Sequence, residues 1–64
     1  MEHINLNGPD GNVFYLMGMA RKLAKELGLD GADIVKQMMA GNYGHALDVF
    51  EKYFGHVVKL EGRG

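Results

Sequence analysis

The sequence predicts an α+β fold in the order β-α-α-α-β. A compact three-helix core, with short N- and C-terminal strands, is expected to form one domain over residues 1–64 and to assemble as a homodimer. Three observations carry this reading. Apolar residues recur at helical spacing three times in succession through the middle of the chain. Short stretches at the two ends alternate or are β-branched instead. Hydrophobic residues make up 47% of the 64, with five Met, three Phe and three Tyr, and no Cys is present to staple a small fold. That is more apolar surface than so short a chain easily hides, and oligomerisation is a usual remedy. A well-packed monomer is the alternative.

Glu2 to Asn7 sets Ile4 and Leu6 on one side and His3, Asn5 and Asn7 on the other, as a half-buried strand does. The first helix starts near Gly11 or Asn12, with Asp10 or Asn12 as its N-cap. Val13, Leu16, Met17, Ala20, Leu23, Ala24 and Leu27 form its apolar stripe, and Arg21, Lys22, Lys25 and Glu26 its polar face. Gly28 stands where a left-handed residue ends a helix, with Leu29 placed to fold back on the last turn. Asp30 caps the second helix, whose stripe is Ile34, Val35, Met38 and Met39 and whose stop is Gly41. Asn42 caps the third, with Tyr43, Ala46, Leu47, Phe50, Tyr53 and Phe54 as its stripe before Gly55. From His56 to Glu61, Val58 and Leu60 point one way and Val57, Lys59 and Glu61 the other. The terminal strands are too short to stand alone, so they pair with each other or across a dimer axis.

Composition excludes several classes of function. Without Ser, Thr or Cys the chain lacks the familiar hydroxyl and thiol nucleophiles, and no enzyme is expected. His3 and His56 come together if the terminal strands pair, but without a carboxylate or Cys at ligand spacing neither a metal nor another cofactor is expected. A net charge of −1 offers no field for duplex nucleic acid. The second and third helices carry only Lys36 and Lys52 as basic residues, too few for a helix-turn-helix. No apolar run approaches the roughly 20 residues that span a bilayer, and the opening lacks a signal-peptide pattern. A cytoplasmic location is the expectation.

Two features are candidates for binding. Gly8, Asp10, Gly11 and Asn12 form a turn beside a helix start, where free N–H groups and flexible glycines suit an anion. A purely structural turn is the competing reading. The first half of the first helix also carries Phe14, Tyr15 and Met19 outside the core stripe, with Gly18 among them. A mid-helix Gly often marks close approach by another backbone or a ligand. This second apolar face is a subunit interface or a flat binding surface, unless the terminal strands cover it. If a nucleotide binds, Arg21, Lys22 or Lys25 would meet phosphates, and Phe14, Tyr15 or Tyr43 would stack on bases.

The run Ile4-Asn5-Leu6-Asn7-Gly8-Pro9-Asp10-Gly11-Asn12, the run Leu16-Met17-Gly18-Met19-Ala20 and the run Asp48-Val49-Phe50-Glu51-Lys52-Tyr53-Phe54-Gly55 together resemble short proteins encoded by bacteriophages. The resemblance spans nearly the whole chain and carries no motif diagnostic of an activity. It implies a viral counter-defence protein acting in the host cytoplasm. In the class of oligomeric sponges, such proteins sequester a cyclic dinucleotide immune signal as homodimers or larger assemblies. The alternative expectation is a small inhibitor or regulator that binds a host protein through the exposed apolar face of the first helix.

Overall fold

The structure, a computed structural model, describes residues 2–8 and 11–62. The chain runs β1 (Glu2–Asn5), α1 (Val13–Leu27), α2 (Gly31–Met38), α3 (Tyr43–Phe54) and β2 (Val58–Glu61). The α+β architecture in β-α-α-α-β order is therefore as the apolar periodicity predicts.

β1 and β2 pair with each other within the chain, in parallel, with Glu2 opposite Val58 and Asn5 opposite Glu61. Parallel neighbours need a long crossover, which the three helices supply. The ladder extends at both ends through Glu2 N–H to the Val57 carbonyl and Leu6 N–H to the Glu61 carbonyl. This register corrects the histidine expectation. His3 stands opposite Lys59, while His56 lies in the turn before β2. His3 instead hydrogen-bonds through Nδ1 to Glu61 Oε1 at 2.9 Å, with both side chains about half exposed. β1 is shorter than the alternation suggested, because Leu6 and Asn7 already belong to a turn.

Each helix begins on an Asn or Asp. Asn12 accepts from Phe14 N–H, Asp30 from Asp33 N–H and Asn42 from His45 N–H. Each satisfies one donor that a helix start leaves orphaned. Asp10, the other candidate cap for α1, lies outside the described residues. Gly28 ends α1 at φ 74°, a left-handed conformation that a Cβ would strain. Leu29 N–H then reaches back to the Ala24 carbonyl, closing the last turn.

α1 packs on α2 and α3, α2 packs on α3, and β2 lies against α3. Leu16, Met38, Phe50, Phe54 and Val58 are the largest fully buried side chains, and among the described residues no polar or charged residue is buried. Phe50 and Phe54 sit 5.2 Å apart, tilted by 60°. Val49 is also buried, outside the expected stripe, because α3 is covered on more than one side. Met39, by contrast, is exposed: α2 stops at Met38, three residues before the expected stop at Gly41. Leu27 and Tyr43 are likewise more exposed than their place in the stripes implied.

Gly18 does not mark a close approach. No heavy atom outside its own helical surroundings lies within 4 Å of where its Cβ would be. The site is open helix surface, so Gly18→Ala is expected to stabilise the fold by up to ~1 kcal/mol through helix propensity. A urea-denaturation midpoint that rises for Gly18→Ala would confirm it; a lower one would mean that something packs there.

Candidate functional site

The loop before α1 was the first candidate, and its donors are largely engaged by the chain itself. Asn7 N–H donates to Asn5 Oδ1, Gly8 N–H to the Asn5 carbonyl and Gly11 N–H to the Gly8 carbonyl. Phe14 N–H goes to the Asn12 side chain and Leu16 N–H to the Asn12 carbonyl. A Cβ on Gly11 would lie 2.1 Å from the Leu6 carbonyl oxygen, so this glycine admits the chain's own backbone rather than a ligand. The Tyr43 hydroxyl donates to the Gly11 carbonyl and ties the loop to the start of α3.

The other candidate residues are divided by the geometry of α1. Successive helical residues turn by about 100°. Phe14, Gly18, Arg21 and Lys25 therefore follow one another along one face, and Tyr15, Met19, Lys22 and Glu26 along the neighbouring face, about 100° round the helix. Arg21 lies about 12 Å and Lys25 about 18 Å along the axis from Val13. The cations are thus not gathered around the loop with the aromatic rings. Phe14 and Tyr15 stay exposed, at 75% and 41%, so the terminal strands do not cover them.

What the fold does bring together is a cleft of about 340 Å³, where the start of α1 faces the junction of α2 and α3. Val13, Phe14 and Met17 line it from α1, Met38 and Met39 from the end of α2, and Asn42, Tyr43 and Ala46 from α3. Of the expected residues, Phe14 and Tyr43 are here, with Gly11 and Asn12 adjoining them. Gly8, Tyr15, Arg21, Lys22 and Lys25 do not line the cleft. The apolar periodicity of the sequence places Met17, Met38 and Met39 in core stripes. The signal for a second role was their residue type, since flexible, polarisable thioethers serve surfaces that must fit a partner.

Two polar atoms at the cleft, Asn42 Oδ1 and the Tyr43 hydroxyl, already have partners. Asn42 Oδ1 accepts from His45 N–H at 2.9 Å, and the Tyr43 hydroxyl is held by Gly11. His45 Nε2 lies 3.0 Å from the Gln37 carbonyl, which can only accept, so that nitrogen carries the proton and closes the end of α2. Among the described residues no group of three or more His, Asp or Glu is placed to hold a metal, and no helix is long and apolar enough to cross a membrane.

No protein-family model, no curated protein and no solved structure matches the chain. The viral, anti-defence and nucleotide-binding identity implied by the resemblance to phage proteins is therefore withdrawn.

Proposed function

We propose that this chain is a non-enzymatic protein-binding module that seats apolar side chains of a partner in the cleft between α1 and the α2–α3 junction. One observation carries the reading: Phe14 and Met39 stand 75% and 67% exposed at the same apolar cleft. Large apolar side chains left this open around a concavity mark interaction sites more often than isolated surface residues do. A small polar ligand is a poorer fit, because the cleft's Asn42 and Tyr43 are engaged within the chain and leave little to orient it.

The test is selection of binders from a displayed library of random peptides, with Met39→Glu as the counter-target. Both partners in that comparison should fold alike, since Met39 is mostly exposed. Peptides enriched on the natural chain should bind Met39→Glu at least about tenfold more weakly, a loss of ~1.4 kcal/mol. Enrichment of peptides that bind both equally, or no enrichment at all, would overturn the reading.

A further inference from the structure

Sulfur is spread unevenly over this fold, and the unevenness singles out one residue. The chain has no Cys, so no thiol competes with its methionines for an oxidant. Among the described residues the methionines stand in graded positions. Met38 is buried, Met17 and Met19 are half-buried against the core, and Met39 is mostly exposed.

The end of α2 explains the contrast. Met38 completes the helix's apolar stripe, and Met39, one step beyond the last helical residue, turns out of it. Met39 nevertheless keeps apolar company, because it lines the cleft with Phe14, Met17 and Tyr43. The sulfur most open to an oxidant therefore stands at the mouth of the cleft. Met38, whose oxidation would set a polar group in the core, is shielded.

Resting on the protein-binding reading above, we propose that Met39 is a peroxide-responsive modification site that turns off partner binding at the cleft. Its thioether sulfur attacks one oxygen of hydrogen peroxide, forming an S–O bond as the O–O bond breaks. The departing hydroxide takes the proton of the new S–OH group and leaves as water. The electron pair that sulfur gives up is the pair that the peroxide gains. An apolar side chain thereby becomes a polar sulfoxide, a change that reductases reverse. The side chains of Phe14, Met17, Met38 and Ala46 offer the sulfoxide oxygen no donor. An apolar partner seated there would strip its water without replacing the hydrogen bonds, which opposes binding. Since Met39 lies outside the buried core, the fold persists while the cleft loses its fit.

The experiment treats the folded chain with dilute hydrogen peroxide and follows each methionine by mass spectrometry of proteolytic fragments. Met39 is expected to oxidise at least about tenfold faster than Met38, with Met17 and Met19 between. In urea the rates should converge, since the fold sets their order. With Met39 converted, the circular dichroism spectrum should stay as it was. A peptide whose binding is lost in Met39→Glu should then bind at least about tenfold more weakly. The methionine sulfoxide reductases for the two sulfoxide epimers should restore that binding. Met39→Leu keeps an apolar side chain of similar size, so it should bind the peptide both before and after the same peroxide dose.

Met19 or Met38 oxidising as fast as Met39 in the folded chain would overturn the site. Unfolding on Met39 oxidation, unchanged peptide binding, or loss of binding by Met39→Leu after peroxide would overturn the switch. Absence of any peptide that depends on Met39 would refute the protein-binding reading and the switch with it. The order of oxidation would then still identify Met39 as the selective site, which separates the two failures.

Discussion

Phe50→Ala is expected to remove between about a third and all of the chain's stability. Phe50 is fully buried at the centre of α3, with Phe54 beside it and Leu16 also fully buried in the same core. Truncating a buried Phe removes its transfer free energy and leaves a cavity, typically costing about 3–5 kcal/mol. A chain of 64 residues has about 3–10 kcal/mol of stability in total, at ~0.05–0.15 kcal/mol per residue. The loss is therefore a large share of what holds the fold. Far-UV circular dichroism and urea denaturation would read it, with Phe50→Leu as the milder comparison. A Phe50→Ala midpoint near that of the natural chain would mean that Phe50 is not central to the core.

Gly11→Ala carries the next largest effect. The added methyl would stand 2.1 Å from the Leu6 carbonyl oxygen and 2.7 Å from its carbon, both backbone atoms that no side-chain rotation can relieve. The segment must shift, which strains the Gly11-to-Gly8 hydrogen bond and the Tyr43 tether across the loop. Overpacking of this kind costs about 1–3 kcal/mol. Gly8→Ala is the control, since its Cβ would meet the Asn5 carbonyl at an ordinary 3.6 Å. A denaturation midpoint that falls for Gly11→Ala and holds for Gly8→Ala would establish the loop as a structural turn. Equal midpoints for Gly11→Ala and the natural chain would contradict the close approach of Leu6.

The helices were legible in the sequence because their signals are local. The Asn12, Asp30 and Asn42 caps and the left-handed Gly28 act within one turn of where they stand. The pairing of the two strands was legible as one of two options, and its parallel register was not, since that depends on how the three helices return the chain. The candidate site was legible only in part. Phe14 and Tyr43 could be named from their residue types, but the cleft joins residues from three helices. Met38 and Met39 illustrate the difficulty: they are neighbours in the chain, yet one is 2% exposed and the other 67%. A helix end falls between them, and only the packing of α2 fixes which one faces solvent. Gly18 misled for a related reason, since a glycine that nothing approaches looks the same in sequence as one at a crossing.

The methionines also provide the most direct measurement of the central claim, that the cleft is where a partner binds. Met17, Met38 and Met39 line the cleft, whereas Met19 sits on the other side of α1 and serves as an internal reference. Methyl resonances of methionine, labelled with carbon-13, can be followed while a Met39-dependent peptide is added. The signals of Met17, Met38 and Met39 are expected to shift together to saturation while Met19 stays in place. Saturable peptide binding in which Met19 moves most, or in which none of the three cleft methyls moves, would contradict the account.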